Sequence, residues 1–427
     1  MNNRALTVGL LGFGLLLGAL IAKSGGLALM ALPFLAYLGA GILAAPARED
    51  VRILAERTLQ THQTGEGTSI EVDITLSNAG TGLLSLQLVE ASQPGMQLTQ
   101  GSLRQWLVLA QGETGEVQYT FQTARGNYTW KSLRALASDA FGLFGTALEL
   151  PAGAEIQVQP RMTKIRPIPL RPESTLHSPG SIPAHMGGSG TDFWGVREYH
   201  PGDPLRRLDW RMNARHPGLL FTQEFEQEEV ADIGLILDAR HRMDLVVSGD
   251  SLLERNIGAA ASLAEMFLHQ GNRVSLLIFG DQMTTVYPGY SKAQLNRILR
   301  SLAKVRPSVN SSALSLGFAP LRMFSSRALI VILSPLAPGD WPLFPRLRAH
   351  GNQGLLICPN AIDFGLRDGG TDQAEKLAIR AARLDRHIEL RKISALRIRV
   401  IDWQVDRPLY PLVRSALYPS RGQMGGR

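Results

Sequence analysis

Two apolar runs, Ala5–Ala22 and Leu27–Pro46, open the chain with only Lys23-Ser24-Gly25-Gly26 between them. Each spans about 18–20 residues, ~27–30 Å as helix, enough to cross the hydrocarbon core of a bilayer. Residues 1–48 therefore read as a transmembrane hairpin, which leaves both ends of the chain on one side. Arg4 precedes the first run, Lys23 lies in the turn, and Arg48, Arg52 and Arg57 follow the second. Cations gather on the cytoplasmic side, so the expected location is a cell membrane crossed by two helices, with the remaining domains cytoplasmic. A cleaved signal peptide is the competing reading. Only the small residues Ala45-Pro46-Ala47 favour it, and a leader with two apolar blocks is too long for that role.

The rest of the 427 residues is long enough for two or three domains. A single cysteine, Cys358, excludes an intrachain disulfide and a cysteine-rich zinc site. The net charge of +7 is spread through interleaved acids and bases with no nucleic-acid signature. No nucleic-acid partner is expected; the lipid bilayer is the more economical match for the positive charge.

From 58 to 160 hydrophobicity alternates with period two, as in Ile70, Val72, Ile74 and Leu76, and Gly-containing turns separate the runs. That pattern predicts a β-sandwich of about seven strands. Its acids Glu66, Glu71, Asp73 and Glu90 are expected on the solvated face. Residues 161–189, rich in Pro, Gly and Ser, read as a linker. The Gly187-Gly188-Ser189-Gly190 run lacks the Lys-Ser/Thr of a phosphate loop and belongs to the same flexible segment. Residues 190–229 hold a dense charged and aromatic joint. From 230 to 420 continuous apolar strands alternate with helical stretches, which predicts an α/β domain with a parallel, doubly wound sheet. Ligands of such folds collect at the carboxyl ends of strands, which singles out Asp238 at the end of "VADIGLILD".

A strand ending in Asp, in an α/β domain without a glycine-rich turn, resembles the von Willebrand factor type A family. The resemblance implies a metal site built on Asp-x-Ser-x-Ser, a Thr from a later loop and an Asp after a middle strand, oxygen donors suited to Mg²⁺. Here the first loop reads Asp238-Ala239-Arg240-His241-Arg242, Ser311 or Ser312 stands where the Thr would lie, and Ser334-Pro335 follows the middle strand. Arginines at both serine positions repel a cation, so Asp238, Arg240, Arg242 and Ser312 are expected to form a degenerate site without metal. No cofactor is expected, Mg²⁺ being the one candidate weighed. Asp238 should pair with Arg240 or Arg242 and cap local backbone; alternatively the two arginines form a carboxylate-binding spot.

In the joint, Asp203-Pro204 signals a helix start, and the helix is expected to run to Arg215, stopped by His216-Pro217-Gly218. Arg207, Arg211 and Arg215 recur every four residues along it. His200, Glu198, Asp203 and Asp209 could act as acid, base or ligand, but each acid has an arginine close by, so ion pairs are expected and no catalytic residue is assigned. Two readings stay open. In one, Arg197, Glu198, Asp209 and Arg215 form a partly buried network joining sandwich, helix and sheet; in the other, Arg207 and Arg211 with Trp210 present a surface that grips an acidic segment of a partner.

The stretch from Gly188 resembles the signature of the family called domain of unknown function 58. Phe193, Gly195, Arg197, Tyr199, Gly202, Asp203, Arg206, Asp209, Trp210, Ala214 and Arg215 match, with Leu208 in place of Ile and Asn213 in place of a small hydroxyl residue. "ARGNYTWKSLRALASDAFGLF" is similar to a second block of that family, with Ala140 at its proline position. The resemblance implies a membrane-anchored, non-catalytic scaffold or adaptor that engages a cytoplasmic AAA+ ATPase of MoxR type in assembly or maturation of other proteins. The type A-like domain is the expected point of contact, with the exposed arginine face of the joint as a further one. The alternatives are an envelope adhesion protein with an extracytoplasmic type A-like domain and a Mg²⁺-dependent enzyme.

Overall fold

The computed structural model describes residues 3–43, 51–80, 82–138, 142–168, 182–308, 315–366 and 373–418. The chain divides into two units, Met1–Gln159 and Pro160–Arg427.

The first unit opens with α1 (Asn3–Ala22) and α2 (Gly25–Leu43), both long and apolar enough to cross a membrane. Most of their side chains are exposed, Leu20 by 76% and Leu43 by 90%, so among the described residues little covers this apolar surface. A Cβ at Gly41 would stand 2.7 Å from the Leu143 side chain, so only glycine lets the end of α2 rest there.

Nine strands follow: β1 (Ile53–Leu59), β2 (Gln63–Gly65), β3 (Ile70–Asn78), β4 (Leu84–Val89), β5 (Met96–Gln100), β6 (Arg104–Leu109), β7 (Thr114–Thr123), β8 (Gly126–Ser138) and β9 (Gly145–Gln159). They form two sheets, ordered β1-β3-β7-β5 and β2-β9-β8-β4-β6. The strands begin at Ile53 rather than at residue 58 and exceed the expected count of about seven, the short β2 and β5 carrying too few residues to show a period. β3 alternates buried and half-buried residues along its whole length, which puts Val72, Ile74 and Leu76 in a core with Leu86, Phe121 and Ile156.

Glu90 is not solvated as its charge suggests. Leu84, Leu86 and Leu88 point inward, and two-residue periodicity carries Glu90 to the same face. Arg57, inward by the same parity in β1, meets it at 2.5 Å and also donates to the Ala152 carbonyl. The Arg57 guanidinium lies 5.5 Å from the Trp130 ring centre.

The second unit begins its regular structure with β10 (Ile182–Glu198), followed by α3 (Trp210–Arg215) and β11 (Phe221–Glu229). Residues 182–189, read from sequence as linker, thus lie in a strand. β11 supplies a hydrogen-bonding edge, and the Gly- and Ser-rich stretch joins it antiparallel with three register shifts rather than as a regular ladder. Then come β12 (Asp232–Asp238), β13 (Val246–Val247), β14 (Asp250–Ser251), α4 (Leu252–His269), β15 (Arg273–Phe279), β16 (Thr284–Gly289), α5 (Ser291–Ala303), β17 (Leu329–Leu333), α6 (Leu343–Ala349), β18 (Gln353–Pro359), α7 (Ala361–Gly365), α8 (Gln373–Ala395), β19 (Arg399–Trp403) and α9 (Leu409–Leu417).

Six strands build one mixed sheet, ordered β16-β15-β12-β17-β18-β19. Five are parallel, while β16 runs antiparallel to β15. The sheet is therefore not wholly parallel as expected: the short turn 280–283 cannot make a crossover, so β16 must double back. Alternate residues of the central strands enter two separate cores. Leu235 and Val331 pack with α4, α5 and α9, whereas Ile236 and Ile332 pack with α6 and α8. A Cβ at Gly234 would stand 2.5 Å from the Phe324 ring, which is why the middle of β12 carries no side chain.

Removing one partner of a buried ion pair costs about 3–5 kcal/mol. Glu90→Ala should destabilise the chain by that amount in denaturant titration, whereas Glu116→Ala, on an exposed position of β7, should stay within ~0.5 kcal/mol.

Candidate functional site

Two sites carry the charged residues singled out by sequence. The first is the excursion between β10 and β11. Tyr199 N donates to the Leu220 carbonyl at 2.7 Å, Asp209 N to the Phe221 carbonyl at 2.9 Å, and Phe221 N to Asn213 Oδ1 at 2.5 Å. Arg197, near the end of β10, donates from Nη1 and Nη2 to both carboxylate oxygens of Asp203 at 2.8 Å, and from Nε to Glu224 of β11 at 3.2 Å. One guanidinium thereby clasps strand, turn and returning strand. Gly202, at φ +111°, supplies the turn that brings Asp203 back. The Arg197 hydrogen bonds, with a further one from His200 N, hold the Asp203 carboxyl down at about 2.

The single helix expected from Pro204 to Arg215 with an Asp203 cap is not formed. A 3₁₀ turn covers Leu205–Arg207, the chain extends at Leu208, and α3 starts afresh with Asp209 as its cap. Asp209 Oδ1 accepts from Arg211 N and Met212 N, both at 3.0 Å, and the Met212 bond leads in lowering its pKa. The cause is competition. Asp203 is taken by Arg197, and Leu208 bridges Thr222, whose hydroxyl donates to the Arg207 carbonyl at 3.2 Å.

Of the residues expected in a network here, Arg197 and Asp203 meet directly, and Gln223 of β11 reaches Asp209 at 3.4 Å. Glu198 contributes only its carbonyl, which accepts from Arg197 at 2.9 Å. Tyr199 and Arg207 are half-buried. Arg211, Arg215 and Trp210 are exposed, Trp210 by 70%. Glu224, absent from the sequence reading, completes the clasp; its place opposite Gly195 in the β10–β11 ladder becomes visible only once the strands pair.

The second site lies at the carboxyl ends of β12 and β17, where strand order reverses, the locus at which open α/β sheets bind ligands. Asp238, Arg240 and Asp340 are at most 3% exposed. Arg240 donates from Nε and Nη2 to the two oxygens of Asp238 at 2.9 and 2.7 Å, and from Nη1 and Nη2 to those of Asp340 at 2.8 and 2.7 Å. Asp238 also accepts from Arg240 N at 3.0 Å and from the Ser334 hydroxyl at 2.6 Å. Asp340 accepts from Leu316 N at 2.8 Å and Ala337 N at 2.7 Å, while the Ser315 hydroxyl beside it donates to the Gly339 carbonyl. The Phe279 ring flanks the guanidinium at 5.7 Å.

Two carboxylates and one guanidinium leave a net buried charge of −1, which three backbone N–H groups and the Ser334 hydroxyl solvate. Burial pushes the Asp340 carboxyl upward, but Arg240 and the two backbone donors outweigh it and hold the group below its usual range. Burial likewise works against Arg240's charge, and the two aspartates overcome it. Leu336, at φ +63°, is held in the left-handed region by its N–H to Ser334 Oγ at 3.0 Å and by Arg242 Nη1 on its carbonyl at 2.6 Å.

Arg240, not Arg242, is thus the partner of Asp238, and Arg242 is exposed. Ser312 lies outside the described residues. Every oxygen of Asp238 and Asp340 already accepts two or more hydrogen bonds, so the arrangement does not fit an added metal ion. Sequence inspection missed Asp340 and Ser315. The type A pattern places a carboxylate directly after β17, where Ser334-Pro335 stands, but it arrives later in Pro338-Gly339-Asp340. Cys358, fully buried in β18, has its thiol pushed up by burial to about 12, which disfavours the thiolate.

Residues 195–357 match the family described as "Protein of unknown function DUF58", which bears out over that span the resemblance carried by the signature. The chain is 27% identical over 274 residues to an uncharacterised protein of Mycobacterium bovis, covering 57% of this chain and 84% of that protein. Uncharacterised proteins from two strains of Mycobacterium tuberculosis match to the same extent. Among solved structures, native alpha-2-macroglobulin from Escherichia coli is 15% identical over 31% of this chain and 21% of its own, at a TM-score of 0.22. A FixG-related protein from Vibrio parahaemolyticus is 8% identical over 25% of this chain and 95% of its own, at 0.18. Neither TM-score supports a fold assignment.

Both Asp203 and Asp340 are depressed below the ~3.9 of an unfolded aspartate. Their contribution to stability is present above about pH 4 and is lost as pH falls through the folded values, which for Asp203 is about 2. Thermal unfolding midpoints should therefore drop between about pH 4 and pH 2. Asp203→Asn should flatten part of that slope while leaving the remainder, which belongs to Asp340 and other carboxylates.

Proposed function

We propose that this chain is a membrane-anchored, non-catalytic scaffold that uses the β10–β11 excursion to grip a cytoplasmic AAA+ ATPase of MoxR type. One observation carries the reading. On the excursion, Leu205, Trp210, Leu219 and Leu220 are each at least 50% exposed, beside the exposed Arg206, Arg211 and Arg215. Tryptophan and arginine are the side chains most enriched at binding hot spots, and clustered exposed apolar side chains mark interaction surfaces. The Arg197 clasp orders this surface in advance, so less entropy is lost when a partner binds.

The sheet order, the crossover helices on two faces and the polar cluster at the reversal point support reading residues 230–420 as a von Willebrand factor type A-like platform. With Arg240 between its aspartates, that platform works without a metal. Two apolar helices with Arg4 and Arg52 at their flanks support an anchor whose soluble part faces the cytoplasm.

Detergent-solubilised chain and a purified MoxR-type ATPase should associate in a nucleotide-dependent way, and Trp210→Ala should weaken that association about tenfold or more. Equal retention of the wild type and this variant would remove the excursion from the interface. The buried Cys358 gives little background for thiol labelling. Arg215→Cys should accordingly react with a membrane-impermeant maleimide only after cells are permeabilised; reaction in intact cells would support the extracytoplasmic adhesion reading instead.

A further inference from the structure

We propose that the Arg240 guanidinium is a tethered substitute for a divalent cation, and that the oxygens around it form a latent site for Mg²⁺ or Mn²⁺ once it is removed. The donors come from separate parts of the chain: Asp238 at the end of β12, Ser334 after β17, and Asp340 in the turn that follows Ser334. All are hard oxygens, and two are carboxylates that face one another across a single cationic group. Such a set collapses without positive charge, because two buried carboxylates cannot both stay ionised side by side. Arg240 supplies that charge from inside the chain. It is fixed by four hydrogen bonds to the carboxylates and by its own backbone N–H on Asp238.

A dication between the same carboxylates would bring the cluster to neutrality, whereas the guanidinium leaves it at −1 and needs Leu316 N and Ala337 N to make up the difference. The substitution has a consequence for the native protein. A bound ion exchanges with solvent; a side chain does not. The turns at 239–243, 315–317 and 334–340 are therefore held together whatever the divalent-ion concentration. This inference stands apart from the proposed partner: the surface that carries Trp210 contributes no group to it.

The test uses the full chain in detergent, with thermal unfolding and Mn²⁺ electron paramagnetic resonance as readouts. In the wild type, EDTA and Mn²⁺ should leave the midpoint unchanged, and no tightly bound Mn²⁺ should appear. Arg240→Ala should be destabilised in EDTA and bind Mn²⁺. At about one hundred times the dissociation constant, Mn²⁺ should raise its midpoint by roughly 5–10 °C. Arg240→Ser, which adds an oxygen donor, should bind at least as well. Asp238→Asn combined with Arg240→Ala should lose the rise. The proposal is overturned if the wild type binds Mn²⁺ at this site, if neither Arg240 variant is stabilised by Mn²⁺, or if the rise survives loss of Asp238.

Discussion

The second unit depends on one charged side chain kept away from water. Arg240 touches both carboxylates at the carboxyl edge of the sheet, and those carboxylates in turn collect backbone N–H groups from Leu316 and Ala337. An unpaired charge at that depth would cost several kcal/mol, so each partner fixes the conformation of the others. The left-handed Leu336 fits this view. A strained backbone persists where its surroundings over-determine it, and here its N–H is held by Ser334 of the cluster and its carbonyl by the exposed Arg242. The reversal point of an α/β sheet is ordinarily left open for a ligand. In this protein Arg240 stands there, between Asp238 and Asp340.

A second arginine orders the excursion between β10 and β11 in a similar way but under different physical conditions. Arg197 is half-exposed, so its bonds to Asp203 and Glu224 are worth far less than those of Arg240, and salt weakens them. Its role is geometric: it fixes where the turn returns to β11 and leaves Trp210, Leu219 and Leu220 facing solvent. Buried charge sets the platform, and exposed charge shapes the surface offered to a partner.

Elements with strong periodicity were legible in the sequence. The apolar runs became α1 and α2, the period-two segments became a sandwich, and continuous strands with amphipathic helices became the six-stranded sheet. Side-chain partners were legible only where they are local. Asp238 and Arg240, two residues apart, could be paired on paper. Asp340, a hundred residues further on, could not, because nothing local distinguishes the carboxylate in Pro338-Gly339-Asp340 from an ordinary turn residue. The same limit hid Glu224 and the pairing of Arg57 with Glu90. Asp203-Pro204 misled for the opposite reason. A strong local capping signal was overridden by a tertiary contact to Arg197, and the cap passed to Asp209.

The claim that Arg240 holds Asp238 and Asp340 as one unit is tested most directly by a double-mutant cycle between Arg240→Ala and Asp340→Ala, read by denaturant unfolding of the full chain. Residues joined in one buried network are non-additive. The expected result is a double variant less destabilised than the sum of the single ones by about 2 kcal/mol or more. Additivity within ~0.5 kcal/mol would mean that the two groups do not share their energy, and would contradict the account.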